Sequence, residues 1–305
     1  MYIGRFAPTP SGPLHFGSII TALASYLDAK KNNGLWKLRI DDIDSPRVMK
    51  GAELSILNTL EKLCLFWDGK ISRQSENIKE YEKILKVLGK KKLTYNCECS
   101  RKEIAASNSF NTNESIYNNH CRNKHNRPSD KSSVRLISNY EFINFIDKVQ
   151  GSQSHNINNT IGDFIIKRSD QLYAYQLAVV IDDELQSVTN IVRGTDLLSS
   201  TIKQKYINNI LNLPERDYMH IPLARINNQK LSKGNGDKLN TNNKALILIE
   251  CLKFLKQKIQ NGIEDASPEE ILKYASKNWD TNPLKKIKNI ELNLSQRQIV
   301  GNVHT

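Results

Sequence analysis

The sequence predicts an α/β fold built on a parallel sheet, and three consecutive segments carry that expectation. Residues 2–7 (YIGRFA) form a short apolar run of the buried-strand kind, closed by the turn-rich Pro8-Thr9-Pro10-Ser11-Gly12-Pro13. From Gly17 to Lys31, Ile20, Leu23, Ala24 and Leu27 recur at helical spacing. Leu35–Ile40 (LWKLRI) reads as a second strand running into Asp41-Asp42-Ile43-Asp44. Strand, turn, helix and strand at this spacing make a βαβ unit, which demands a parallel sheet. Ligands of such sheets bind at the carboxyl ends of the strands. The Pro8–Gly17 and Asp41–Asp44 turns are both expected there.

The remaining elements follow in order. Helical patterns recur at 50–66 and 76–91. Residues 95–131 break the pattern with clustered cysteines, then Asn/Ser-rich and basic sequence, and read as an inserted subdomain. Strand-like runs return at 133–137, 162–168, 172–181 (LYAYQLAVVI) and Val188–Val192, the last leading into Arg193-Gly194-Thr195-Asp196. Residues 226–243 are Gly/Asn/Lys-rich and read as a loop. An amphipathic helix is expected over 244–259. Ser267-Pro268-Glu269-Glu270 supplies an N-cap, a proline at N1 and a glutamate at N3 for another helix. The expected organisation is a core split into 1–94 and 132–239, an insert at 95–131, and a helical part at 240–305.

Composition narrows the function classes. With 305 residues, 39% of them hydrophobic, the chain can bury a full core. It holds no run of about 18 apolar residues, so no membrane span is expected. No secretory signal pattern is visible at MYIGRFAPTPSG. Five cysteines are too few and too odd in number for a disulfide scaffold. A cytoplasmic, monomeric protein is the expectation. The net charge of +12 suits a polyanionic partner without requiring one.

Two segments hold candidate phosphate chemistry. The small residues and prolines of Pro8–Ser18 keep the backbone open before a helix whose first N–H groups are free, with His15 and Gly17 beside them. Gln229-Lys230-Leu231-Ser232-Lys233-Gly234 places two lysines three apart in a polar loop, a cationic clamp suited to phosphate displacement. Either alone is equally an ordinary turn or a solvated loop. Cys97-x-Cys99 with Cys121 gives three thiolates, the usual donors of a structural zinc site, and spacing alone nominates His120 or His125 as the fourth ligand. Three free thiols remain the plain alternative. Cys64 and Cys251 sit in apolar helical runs and are expected in the core, as are Trp36, Trp67 and Trp279. Lys90-Lys91-Lys92 reads as a solvated helix end, and His155, His220 and His304 show no ligand spacing.

Taken together, P-x-P-S-G-x-L-H-x-G and the distant K-L-S-K resemble the two signatures of class I aminoacyl-tRNA synthetases. Gly4–Gly12, Arg39–Asp44 and Ile191–Leu198 (IVRGTDLL) resemble the glutamyl branch. Residues 235–305 are too few for that branch's anticodon-binding region. His15-Phe16-Gly17-Ser18, Asp163–Ile166 and Tyr173–Val180 resemble its truncated paralogues, the glutamyl-Q tRNA(Asp) synthetases. The resemblance implies a Rossmann-like class I catalytic core with an inserted zinc-binding subdomain and a short helical C-terminal part. It implies activation of L-glutamate with ATP and Mg²⁺, and transfer to the queuosine base in the anticodon of tRNA(Asp).

For the residues, the resemblance implies glutamate contacts from Arg5, Phe6, Ala7, Pro8, Thr9, Asp41, Tyr175 and Arg193. Asp41 replaces the family's glutamate, which shortens its reach. ATP contacts would come from Pro8, His15, Gly17, Ser18, Lys230, Leu231, Ser232 and Lys233, with His15 and Lys233 catalytic. The zinc ligands would be Cys97, Cys99, Tyr117 and Cys121, with His120 as the alternative to the tyrosine. A structural ion pair of Arg193 with Asp196 or Asp44 is the alternative to a binding role. A short glutamyl-tRNA synthetase charging the tRNA(Glu) 3′ end, and a non-catalytic RNA-binding paralogue, are the rival functions.

Overall fold

The computed structural model describes residues 1–100, 102–104, 116–124, 129, 131–231 and 243–300. Strand β1 (Ile3–Phe6) pairs in parallel with β2 (Leu35–Ile40), Ile3 facing Leu35 and Phe6 facing Leu38. Beyond β2 lies the short parallel β3 (Ser72–Arg73). Helix α1 (Phe16–Lys31) makes the crossover and buries Ile19, Ile20, Leu23, Ala24 and Leu27, the stripe its 3.6-residue period sets. Trp36 packs beneath it, its Nε1–H donating to Ser25 Oγ at 2.9 Å. Helices α2 (Ala52–Lys62) and α3 (Ile78–Lys90) complete the first half.

Strand β4 (Thr94–Cys97) opens a separate antiparallel sheet with β5 (Ser133–Leu136) and β8 (Phe164–Lys167). Between the last two come a hairpin, β6 (Phe142–Asp147) and β7 (Gly151–Asn156), and the one-turn α4 (Ile157–Thr160). The apolar run 172–181, read from sequence as a strand, is helical: α5 spans Tyr175–Leu185. It is buried on nearly every side, and a fully buried helix shows no amphipathic period to separate it from a strand. The hairpin was not anticipated either. β6 exposes Phe142 and Ile146, which breaks the apolar-in, polar-out alternation a strand reading depends on.

Strand β9 (Asn190–Gly194) precedes α6 (Leu198–Leu211) and pairs in parallel with β10 (Asp217–Ile221), which meets β6 on its far side. β1 and β9 are joined at their start: Thr189 N–H donates to Ile3 O, and Ile3 N–H to Thr189 Oγ1, both at 2.9 Å. The chain therefore builds outward in opposite directions from the β1–β9 seam, the arrangement that leaves a crevice at the carboxyl ends of the strands. β11 (Leu223–Ile226), β12 (Gln229–Lys230) and β13 (Asn289–Glu291) form a third small sheet. Part of the segment read as a loop is thus paired strand.

Helices α7 (Lys244–Phe254), α8 (Pro268–Asn278) and α9 (Leu294–Val300) follow. The expected capping box is present at Ser267 and Glu270. Leu248, Leu252, Ile271 and Trp279 join Leu23, Leu27 and Trp36 in one continuous core, so α7 and α8 pack directly on α1. Buried Asp28 ties these parts together, accepting from Tyr2 Oη at 2.7 Å and from Trp279 Nε1 and Lys148 Nζ at 3.0 and 2.7 Å. Cys251 is buried as expected, but Cys64 is not. It turns the chain at the end of α2 with φ +56° and is partly exposed, its Sγ 3.0 Å from Glu269 Oε1. Among the described residues, no helix is long and apolar enough to cross a membrane.

Candidate active site and cysteine cluster

A cavity of about 560 Å³ opens at the carboxyl ends of β1, β9 and β10. From the β1 side come Arg5, Phe6, Ala7, Pro8 and Thr9; from the start of α1, His15, Gly17 and Ser18; from α5, Tyr175; from β9, Arg193; and from β12 and its exit, Lys230 and Leu231. Segments more than two hundred residues apart in sequence thus meet around one space. Ser232 and Lys233 lie outside the described residues. Asp41 is not in the lining: it is 4% exposed, its carboxylate accepts from Arg39 Nε at 2.7 Å, and its N–H donates to Pro8 O.

Local backbone needs explain the turn. His15 is the N-cap of α1 in extended conformation, and its carbonyl accepts from Ser18 and Ile19. A Cβ on Gly17 would stand 3.1 Å from His15 Cε1 and 3.2 Å from Nδ1, so the missing side chain gives the imidazole its place. The first turn of α1 therefore presents backbone N–H groups and positive dipole to the cavity.

The two arginines are held by different chemistry. Arg5 Nε donates to Asp183 Oδ1 at 3.1 Å, and Arg39 Nη1 donates to the same oxygen at 2.6 Å. Burial would raise the Asp183 carboxyl, but Arg5 and Arg39 hold it down to about 2. Asp41 goes the other way, pushed up to about 6 by burial against the pull of Arg39. Arg193 makes neither of the ion pairs considered for it. Its Nε donates to His220 Nε2 at 3.0 Å and its Nη2 to Thr201 Oγ1 at 2.7 Å. Asp44 instead pairs with Arg168, and Asp196 with Lys230, which ties the lysine strand to the end of β9. Arg193 is 3% exposed, and its Nη1 is buried with no hydrogen-bond partner among the described residues. A buried unmatched guanidinium N–H is costly, which marks this atom as a place for an acceptor.

Arg47 and Asp196 also line the cavity and were not anticipated. Ser45-Pro46-Arg47 forms a short 3-10 turn straight after Asp44, so proximity to the Asp41–Asp44 turn was the available signal. Asp196 lies just past β9 in the Ile191–Leu198 segment, where the sequence offers it only as an ion-pair partner.

The thiols of Cys97, Cys99 and Cys121 converge, their sulfurs all within 4.8 Å of one another. Cys99 and Cys121 Sγ are 3.5 Å apart, and Tyr117 Oη lies 3.3 Å from Cys97 Sγ and 3.4 Å from Cys99 Sγ. Four ligands about 2.3 Å from a tetrahedral ion stand roughly 3.8 Å from one another, so the three thiols fit zinc in type and spacing, with the Tyr117 oxygen, a rarer donor, at the fourth place. Despite burial, the Cys97 thiol is drawn down to about 7 by Tyr117 and Arg135, and the Arg135 guanidinium stacks 3.7 Å from the Tyr117 ring centre. His120 is exposed, with Nε2 against Lys124 Nζ at 2.6 Å, and His125 lies outside the described residues.

Comparison with known proteins agrees with this geometry. The family model described as tRNA synthetases class I (E and Q), catalytic domain, matches residues 3–287. The glutamyl-Q tRNA(Asp) synthetase of Pseudomonas syringae pv. syringae is 42% identical over 292 residues, covering 95% of this chain and 96% of that protein. Its namesake from Photorhabdus laumondii is 40% identical, covering 100% and 95%. The glutamate-tRNA synthetase structure from Elizabethkingia anophelis superposes with a TM-score of 0.78 at 23% identity, over 97% of this chain and 68% of that one, a likeness of fold. The chain belongs to the class I tRNA synthetases of the E and Q type and, within them, to the glutamyl-Q tRNA(Asp) synthetase family.

Proposed function

We propose that this protein activates L-glutamate with ATP and transfers the glutamyl group to the queuosine base in the anticodon of tRNA(Asp). The observation that carries the reading is the single cavity where the Arg5–Thr9 turn, the His15–Ser18 helix start, Tyr175, Arg193 and Lys230 meet. Such a site needs a cation for a carboxylate, phosphate contacts and a path for displacement in line. Arg193 offers a buried guanidinium with one unmatched donor, and the start of α1 offers backbone N–H groups for the triphosphate.

In this reading the glutamate α-carboxylate attacks the α-phosphorus of ATP, giving glutamyl-adenylate and pyrophosphate. His15 and Lys233 compensate charge growing on the phosphates, to which Mg²⁺ accompanying ATP would add further neutralisation. A queuosine hydroxyl then attacks the mixed anhydride and releases AMP. No protein nucleophile is needed. Asp41 is the ammonium partner by position; its seat behind the lining calls for a small approach of substrate or backbone. Residues 1–94 and 132–239 serve as the catalytic core, 95–131 as the insert and 240–305 as the supporting helical part.

Two outcomes test the roles. Lys233→Ala is expected to slow glutamate-dependent pyrophosphate exchange by about 100-fold or more while shifting the glutamate KM less than about threefold. Exchange at the wild-type rate would remove Lys233 from the chemistry. Cys97, Cys99, Tyr117 and Cys121 would hold the zinc, which when bound cross-links the β4 end to the following segment. Metal analysis is expected to find about one zinc per chain, lost in Cys121→Ser and kept in Cys251→Ser. Equal metal content in both variants would contradict the assignment.

A further inference from the structure

His220 showed no ligand spacing in the sequence, yet it is fully buried on β10 beside Arg193. Arginine only donates hydrogen bonds, so the His220 Nε2 that meets Arg193 Nε at 3.0 Å carries the lone pair. The ring proton then sits on Nδ1, which donates to Asp147 Oδ2 at 2.6 Å. Asp147 is itself fixed by backbone N–H groups of Val149 and Gln150 at 3.0 and 2.7 Å, and of His220 at 3.1 Å. Thr201 Oγ1 accepts from Arg193 Nη2 and stands 3.0 Å from His220 Nε2. The ring of Tyr218 lies nearly parallel to the imidazole on one side, and the Arg193 guanidinium is 5.7 Å from the Tyr218 ring centre.

We propose that Asp147, His220 and Thr201 are positioning residues for Arg193, and that His220 acts as a neutral spacer leaving the Arg193 charge free for a glutamate carboxylate. The contrast with Arg5 gives the proposal its content. Arg5 shares the carboxylate of Asp183 with Arg39, so its charge is already met inside the protein. Arg193 is gripped by neutral acceptors at Nε and Nη2, with the acid one imidazole away and Nη1 unmatched. Selection of a carboxylate over the isosteric carboxamide therefore falls to Arg193 more than to Arg5. Burial lowers the His220 pKa, in keeping with a neutral ring.

The inference rests on Arg193 as a glutamate contact, so the experiment separates the two. Pyrophosphate exchange is measured on the full chain for His220→Asn, His220→Gln and Arg193→Met, with glutamate and ATP KM values and melting temperatures for each. Asparagine keeps a polar atom toward Asp147 but has none at the Nε2 position; glutamine keeps an acceptor there. His220→Asn is expected to raise the glutamate KM about tenfold or more with ATP KM within about twofold, and His220→Gln to stay within about threefold of wild type. Equal glutamate KM values in the two His220 variants, or an ATP KM rising in step, would overturn the positioning role. An unchanged glutamate KM in Arg193→Met would instead overturn the underlying site, and this inference with it. If the His220 variants do not fold, Thr201→Val against Thr201→Ser poses the same question: only the valine should raise the glutamate KM, by about threefold, and equality of the two would overturn the role.

Discussion

Asp183→Ala is expected to cost about 3–5 kcal/mol of folding stability, read from urea unfolding, because it leaves the buried Arg5 guanidinium without its carboxylate and takes from Arg39 one of its two close acids. Asp183 is 1% exposed, and its carboxylate is the common acceptor of Arg5 and Arg39. Arg39 is fully buried and, among the described residues, retains Asp41 as its close ion-pair partner and Gln186 Oε1 at 3.2 Å once Asp183 is gone, with Asp182 Oδ2 3.9 Å away. Asp182 cannot take over freely. It already accepts from Gln74 Nε2, Asn77 Nδ2 and Tyr81 Oη, at 2.8, 2.8 and 2.7 Å.

Asp183 also sets a pH dependence. Its folded pKa, about 2, lies below the roughly 3.9 of an unfolded aspartate, so it contributes stability fully above that value. The contribution is lost as pH falls through 2. The acid limb of wild-type unfolding should therefore flatten in Asp183→Asn. A loss under about 1 kcal/mol in the alanine variant would show that the cluster relaxes without its acid.

Arg193→Met is expected to lower kcat/KM for glutamate by about 100- to 1,000-fold, equivalent to roughly 3–4 kcal/mol of lost transition-state and ground-state contact. The ATP KM should move little, since the proposed phosphate contacts lie at the α1 start and on the lysine side of the cavity. Methionine keeps the apolar stem and bulk, so the change isolates the guanidinium. It also leaves His220 Nε2 without its donor, so a modest loss of melting temperature accompanies the kinetic loss. Glutamine, expected to be a poor substrate for wild type, should lose its disadvantage in this variant. A retained preference for glutamate would place the carboxylate reader elsewhere, with Arg5 the next candidate.

The sequence showed the β1–α1–β2 unit almost residue for residue, because a buried strand, a proline-rich turn and an amphipathic helix each leave a local pattern. The Ser267 capping box was legible for the same reason. The α5 run reads as a strand because burial of every residue from Leu177 to Asp183 erases the helical period. At the site, the motif residues Arg5, His15, Tyr175, Arg193 and Lys230 line one cavity. What no local pattern could reveal is the support behind them. His220 and Asp147 are 73 residues apart, and Asp183 is 178 from Arg5 and 144 from Arg39. Their meeting depends on which strands lie side by side and where α5 packs against them, information carried by the whole fold. A histidine inside an apolar strand looks inert until its neighbours are known.

The central claim is that glutamate activated in the β1–β9 crevice goes to an anticodon base. Radiolabelled glutamate with ATP, offered to queuosine-containing tRNA(Asp), queuosine-free tRNA(Asp) and tRNA(Glu), tests it directly. Label on the first alone, mapped by nuclease digestion to the anticodon fragment, is the predicted result. Label on the 3′ end of tRNA(Glu), or on no RNA at all, would contradict it.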